Sequence, residues 1–136
     1  MSRIRVLIAD DHEDVLTSLM DLLRLDFDVV GAVGDGQSLI SSAKTIKPDV
    51  IVTDISMPQM DGISAASQII EENPEAKIIL LTQHDSSMFV RVGFEAGALG
   101  YVLKTRIDKE LMEAIREVHN GNHYVSRGAL LHEFNC

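Results

Sequence analysis

Short apolar runs alternate with amphipathic stretches along this chain. Five runs of strand length lie at about positions 4–9, 29–33, 50–53, 78–81 and 99–103. Continuous apolar runs of this kind are typical of strands that helices cover on both faces. After each run, apolar residues recur at helical spacing, which predicts five helices. In the first helix these residues are Val15, Leu16, Leu19, Leu22 and Leu23.

Proline and glycine mark where the predicted helices end. Pro48 and Pro74 follow the second and third helices, because proline cannot continue a helix. Gly97 and Gly121 suit the left-handed positions after the fourth and fifth helices. Gly93 lies inside the fourth helix and costs ~1 kcal/mol relative to alanine, so we expect this helix to be the most mobile.

The alternation of strands and helices predicts the fold class. A strand that is followed by a helix and then by another strand forms a right-handed crossover between parallel strands, with the helices on the faces of the sheet. We therefore predict an α/β fold with a doubly wound, five-stranded parallel sheet in three αβα layers.

Polar side chains follow four of the apolar runs. Asp10 and Asp11 follow the first run, Asp54 ends the third, Thr82 follows the fourth and Lys104 follows the fifth. The carboxyl ends of parallel strands meet at one edge of the sheet, which is where open α/β sheets bind ligands. We expect these five side chains to converge there.

Carboxylates that lie close together repel each other, so their negative charge must be compensated. At an effective dielectric constant near 20, two of them ~4 Å apart repel by roughly 4 kcal/mol. A proton could compensate, but a hard divalent cation with oxygen ligands does so better, and Mg²⁺ is the usual choice. An aspartate oxygen beside such a cation and Lys104 suits in-line attack on a phosphoryl group, and Thr82 would donate to the transferred oxygens. Each residue alone has an ordinary role as a turn former, cap or surface charge; their joint occurrence favours the functional interpretation.

Composition narrows the classes of partner. The 136 residues, 46% of them apolar, suit one domain. The net charge of −9 disfavours direct binding to nucleic acid or to anionic membranes. The only cysteine is Cys136, no apolar segment approaches the ~20 residues that span a bilayer, and the five histidines lack metal-ligand spacing. We expect a cytoplasmic protein without disulfides.

The chain resembles the receiver domain of two-component response regulators, the CheY-like family, over residues 3–120. The motifs that carry the resemblance are Asp10-Asp11, Asp54 followed by Met57-Pro58 and Asp61-Gly62, Thr82, and Tyr101-Val102-Leu103-Lys104. The segments Gln83-His84-Asp85 and Glu95-Ala96-Gly97-Ala98-Leu99-Gly100-Tyr101 are most similar to the NarL/FixJ subfamily, whose members continue into a LuxR-type DNA-binding domain. The resemblance implies the flavodoxin-like (βα)5 receiver fold with strand order 2-1-3-4-5.

The resemblance also implies a role for each motif residue. In the family's terms, Asp54 is the phosphoacceptor, Lys104 contacts the phosphoryl group, Thr82 and Tyr101 are the switch residues, and Mg²⁺ is bound by Asp10, Asp11, Asp54 and the backbone carbonyl of Ser56. A sensor histidine kinase would donate the phosphoryl group and dock on the first helix. The face formed by helix four, strand five and helix five would then change, with possible homodimerisation, to control transcription. Such a protein is a phosphoacceptor, not an enzyme that acts on a separate substrate.

Residues 121–136 resemble the start of a linker and are expected to be a linker or a short appended helix. The DNA-binding domain would then lie outside this chain, which is either a stand-alone receiver or an excised one. Two positions depart from the family pattern. Thr105 stands where many receivers have a proline held cis, and we expect a trans bond because a cis non-proline bond costs ~2.5–4 kcal/mol. Gln83 is larger than the residue that often follows the switch threonine, which predicts narrower access to Asp54.

Two other functions remain open from the sequence. One is an interaction module that keeps the fold but is never phosphorylated. The other is a phosphatase that uses Asp54 as a covalent nucleophile. Such phosphatases need a second aspartate two residues after the nucleophile, where this chain has Ser56.

Overall fold

A parallel β-sheet forms the middle of three layers. The computed structural model describes residues 3–83 and 87–126, without the side chains of residues 87–89. The elements in chain order are β1 Arg5–Ala9, α1 Glu13–Leu23, β2 Asp28–Val33, α2 Gly36–Ile46, β3 Val50–Asp54, α3 Gly62–Glu72, β4 Ile78–Thr82, α4 Ser87–Glu95, β5 Gly100–Leu103, a 3₁₀ turn at Lys104–Arg106, α5 Ile107–His119 and β6 Tyr124–Val125. None of the helices in the described ranges is long and apolar enough to cross a membrane.

The sheet has the order β2-β1-β3-β4-β5-β6, with parallel pairing throughout. The doubly wound α/β class and the order of the first five strands are confirmed. The prediction of five strands was one short, because the chain after α5 pairs with the free edge of β5. The Tyr124 amide donates to the Leu99 carbonyl at 3.0 Å, and the Ser126 amide donates to the Tyr101 carbonyl at 2.9 Å. This strand begins the segment predicted as a linker, of which residues 127–136 lie outside the described part.

Each face of the sheet packs against its own set of helices. Alternate residues of β1 show the division, since Leu7 and Ala9 pack with α2, α3 and α4 while Val6 and Ile8 pack with α1 and α5. All four side chains have no exposed surface. Burial on both faces explains why the strands are continuous apolar runs. It also leaves the strand ends as the places where polar groups reach solvent.

Gly93 has a packing role that the sequence did not indicate. A Cβ atom at this position would lie 2.6 Å from Cδ1 of Leu80 on β4. Glycine therefore lets α4 approach the sheet closely. The low helix propensity of Gly93 is the cost of that approach, and the predicted mobility of α4 remains a prediction.

A buried carboxylate joins α5 to β6. Glu110 is 5% exposed and accepts hydrogen bonds from Arg106 Nε, from the Tyr124 hydroxyl at 3.1 Å and from Ser126 Oγ at 2.8 Å. Ser126 Oγ in turn accepts the Leu103 amide at 3.0 Å. Burial alone would raise the pKa of Glu110, but the hydrogen bonds from the three donors lower it below its usual range. This network fixes the end of β5 to the chain that follows α5.

We predict that Glu110→Ala lowers the free energy of unfolding by about 2 kcal/mol, because buried hydroxyl groups lose their acceptor. Urea denaturation measures the change. Glu113→Ala is the matched control, since Glu113 is exposed on the same helix. Equal stability of the two variants would contradict a structural role for the Glu110 network.

Ionisation of Tyr124 gives a pH-dependent test of the same network. Burial and the hydrogen bond to Glu110 raise the pKa of Tyr124 to about 12, from an ordinary value near 10. The fold favours the neutral phenol, so this contribution to stability is complete below about pH 10 and is lost between about pH 10 and 12. In the Tyr101→Phe variant Tyr124 is the only tyrosine, so the absorbance of tyrosinate reports its ionisation alone. The midpoint of this pH titration is expected near pH 12. A midpoint near 10 in the folded protein would exclude the buried hydrogen bond.

Candidate functional site

Four of the strands bring polar side chains to one edge of the sheet. Asp54 is the last residue of β3 and Thr82 the last residue of β4. Asp10 follows β1, and Lys104 follows β5. Asp10, Asp54 and Thr82 are all less than 5% exposed. The predicted convergence is present, and it places two carboxylates in an environment that disfavours their charge.

The ammonium group of Lys104 lies between those two carboxylates. Its Nζ atom is 3.0 Å from Oδ2 of Asp54 and 3.2 Å from Oδ2 of Asp10. The Lys104 side chain is 14% exposed, so water screens these charges weakly. Oδ1 of Asp54 accepts the Ser56 amide at 3.3 Å, so the two oxygens of this carboxylate have different partners.

The loop after β3 is shaped by a close approach of the backbone. A Cβ atom on Gly62 would lie 2.0 Å from the Asp54 carbonyl oxygen, so only glycine fits where α3 begins. The Gly62 amide donates to the Ile55 carbonyl at 2.7 Å. Asp61 caps α3 by accepting the Ser64 amide at 2.8 Å. The Asp61-Gly62 motif therefore folds the loop back over the end of β3 and leaves Ser56 beside Asp54.

His12 belongs to this site, although the sequence analysis gave it no role. Its Nδ1 atom is 3.1 Å from Oδ1 of Asp10 and 3.1 Å from Oδ1 of Asp11. Its amide also donates to Oδ1 of Asp10 at 2.9 Å. The adjacency Asp10-Asp11-His12 was the available signal, because a tight turn after a strand lets the third side chain fold back over the first two.

The surroundings shift the pKa values of three site residues. Burial raises the pKa of Asp54, and the hydrogen bond from Lys104 opposes this only in part. Burial alone would lower the pKa of Lys104, but its hydrogen bond to Asp54 and the nearby negative charge raise it. The hydrogen bond to Asp10, followed by the charge of Asp11, raises the pKa of His12. The Asp54 carboxylate is thus basic for an aspartate and stays beside a firmly protonated lysine.

The donor set fits a hard divalent cation. Asp10, Asp11, His12 and Asp54 each offer one ligand atom, and these atoms lie within 4.8 Å of one another. Three of the four groups are carboxylates, which suits Mg²⁺ with retained water. The Asp11 side chain, 32% exposed, gives the group an opening to solvent. The residues present are therefore compatible with the Mg²⁺ ion expected from the sequence, with Lys104 as the permanent cation on the other side.

The remaining predicted residues lie around this cluster. Tyr101 is only 1% exposed and packs in the core on the α2, α3 and α4 face, so it is not part of the carboxylate group. Gln83 is exposed. The bond between Lys104 and Thr105 is trans, as are all peptide bonds in the described residues, which confirms that expectation. His84 and Asp85 lie outside the described residues.

Comparison with known proteins gives a consistent family. The profile of the response regulator receiver domain matches residues 6–116. The uncharacterized transcriptional regulatory protein YxjL of Bacillus subtilis (strain 168) is 41% identical over 121 residues, which is 88% of this chain and 56% of YxjL. The chain thus spans a little over half the length of this curated relative.

Solved structures agree with the sequence comparisons. A two-component response regulator of the LuxR family from Aurantimonas sp. SI85-9A1 has a TM-score of 0.89 and 32% identity, over 94% of this chain and 93% of that one. The isolated REC domain of RcsB from Salmonella enterica serovar Typhimurium, in the presence of the phosphomimetic BeF3-, has a TM-score of 0.85 and 28% identity over 94% and 96%.

The shared ammonium group gives a direct test of the site's electrostatics. Lys104→Met keeps the length of the side chain and removes the charge that two buried carboxylates share. Without divalent cations, the free energy of unfolding is expected to fall by about 3 kcal/mol, as when a buried ion pair loses one partner. Mg²⁺ should raise the melting temperature of this variant more than that of the unsubstituted protein. Lys109→Met, at an exposed position of α5, is the control. Unchanged stability of Lys104→Met would show that the two carboxylates do not depend on this lysine.

Proposed function

This chain belongs to the response regulator receiver domains, and on that basis we propose that Asp54 accepts a phosphoryl group from a sensor histidine kinase in a Mg²⁺-dependent reaction. The observation that carries the proposal is the position of Asp54, whose carboxylate lies at the end of β3 with Lys104 Nζ at 3.0 Å and two further carboxylates beside it. The family assigns a phosphoacceptor to this strand end. The geometry supplies a buried nucleophile and a fixed cation.

The transfer follows from these contacts. Oδ1 of Asp54 attacks phosphorus in line, a new O–P bond forms, and the bond from phosphorus to the kinase imidazole nitrogen breaks with its electron pair on that nitrogen. Lys104 keeps its proton and neutralises charge on the transferred oxygens. Asp10 and Asp11 would hold the Mg²⁺ ion with Asp54 and the Ser56 carbonyl, and the bound ion would neutralise the remaining charge.

The response to phosphorylation would pass through Thr82 and Tyr101. Thr82 is the last residue of the strand next to Asp54, and in the family's terms its hydroxyl would bind a phosphoryl oxygen. Tyr101 lies in register with Leu80 on β4 and with Val125 on β6. The buried ring is in the inward position that the family associates with switching. The Tyr101 ring packs on the side of the sheet that α4 covers. A movement of Thr82 that changed this packing would therefore change the surface formed by α4, β5 and α5.

Two surfaces suit the partners. Val15, Leu22 and Ile107 line a depression of about 420 Å³ between α1 and α5, with Lys104 at one end. A kinase docked there would face the phosphoacceptor edge. Leu19 also lines the depression but is only 2% exposed, so it would offer the kinase little surface. Control of transcription would require a separate LuxR-type DNA-binding domain, since the net charge of −9 opposes contact with DNA phosphates. Phosphorylation would favour a homodimer through the α4, β5 and α5 face.

Intact-mass measurement tests this proposal directly. The protein is incubated with Mg²⁺ and acetyl phosphate, beside Asp54→Asn and the control Asp21→Asn, an exposed aspartate of α1. One phosphoryl adduct is expected on the unsubstituted protein and on Asp21→Asn. None is expected on Asp54→Asn or after removal of divalent cations with EDTA. An adduct that persists in Asp54→Asn would overturn the assignment.

The alternatives predict other results from the same experiment. An interaction module that is never phosphorylated would give no adduct with acetyl phosphate or with a histidine kinase. A phosphatase would release phosphate continuously from a simple phosphate ester. The structure offers little support for the phosphatase, because exposed Ser56 occupies the acid/base position and only its amide contacts Asp54.

A further inference from the structure

A cavity of about 360 Å³ opens between α2 and α3, at the end of the sheet opposite the carboxylate cluster. This volume lies within the range found for pockets that bind small molecules. Its apolar wall is formed by Ile40, Ala43, Ile51, Ile69 and Ala76. Ile51 precedes Asp54 by three residues on β3, which places the cavity ~10 Å along the strand from the phosphoacceptor. The proposed phosphoryl transfer makes no use of it.

The polar lining of this cavity is mainly cationic. Lys44, Lys47 and Lys77 line it, and Glu72 is the only acidic residue that does so. Lys44 pairs with Glu72 at 3.5 Å. Lys77 Nζ donates to the His119 carbonyl at 2.9 Å. Within residues 3–83 and 87–126, Lys47 makes no ion pair. A positive opening is unexpected on a chain with a net charge of −9, which would otherwise repel anions.

We propose that this cavity binds an amphipathic carboxylate, with its hydrocarbon body between α2 and α3 and its carboxylate at Lys47. The apolar wall favours a hydrocarbon body because it offers few hydrogen-bond partners to a sugar or a nucleotide. The lysines favour a single anionic head group over a neutral one. The concave shape and modest volume suit a small molecule, whereas a protein helix would need a longer groove.

Titration with octanoate, followed by backbone amide NMR shifts, tests the proposal. 1-Octanol has the same chain length without the charge and serves as the matched ligand. Octanoate is expected to shift amides of α2 and α3 and to bind about tenfold more tightly than 1-octanol. Equal affinities would overturn the role of the lysines. The titration is carried out without a phosphodonor, so its result does not depend on the proposed phosphorylation of Asp54.

Two variants separate the apolar and the ionic parts of the site. Ala43→Leu places hydrocarbon in the cavity and is expected to abolish binding of both ligands; Ala76→Leu fills it from the other side if Ala43→Leu fails to fold. Lys47→Gln is expected to weaken octanoate about tenfold and to leave 1-octanol unchanged. Lys109→Gln, on α5, removes the same charge elsewhere and should have no effect. Octanoate that binds a folded, filled variant with unchanged affinity would show that it lies outside this cavity.

Discussion

Two buried carboxylates share one ammonium group at the end of this sheet, and the site depends on that arrangement. Asp10 follows β1, Asp54 ends β3, and Lys104 follows β5, yet β4 lies between β3 and β5. Two strand spacings amount to about 10 Å, so only a long side chain can reach from β5 to Asp54. The intervening strand ends at Thr82, whose side chain is short. Lys104 compensates the negative charge of both buried carboxylates, and without it their mutual repulsion would have to be offset by another bound cation.

Because helices cover both faces of the sheet, the polar side chains of the site are confined to the edge formed by the strand ends. The strand interiors are filled with aliphatic side chains that divide between the α1/α5 side and the α2/α3/α4 side. Polar groups therefore collect at the ends of the sheet. At one end the strands place carboxylates, and at the other the cavity between α2 and α3 is lined by three lysines and one glutamate. The cation site and the proposed carboxylate cavity follow from this difference.

A third buried carboxylate, Glu110, stabilises the strand end that precedes Lys104. Glu110 holds Ser126, whose hydroxyl oxygen accepts the amide of Leu103, the residue directly before Lys104. The backbone directly before Lys104 is thus held by hydrogen bonds that lead from Leu103 through Ser126 to Glu110 on α5. A movement of Lys104 on phosphorylation would therefore reach Ser126 and Glu110 through these hydrogen bonds.

The sequence by itself determined the class of the fold, the five main strands, the helices that follow them and the polar residues at four of the strand ends. These features are local, because apolar runs, helical spacing, and proline or glycine after the helices indicate them directly. The tertiary structure alone decided the rest. The sixth strand exists because β5 offers an unpaired edge, His12 joins the site because a turn folds it over Asp10 and Asp11, and Gly93 is needed because α4 approaches Leu80. Glu110, to which the sequence analysis gave no role, is buried because Tyr124 and Ser126 pack against it. Each depends on groups distant in sequence or on the path of a turn, which residue type and spacing do not specify.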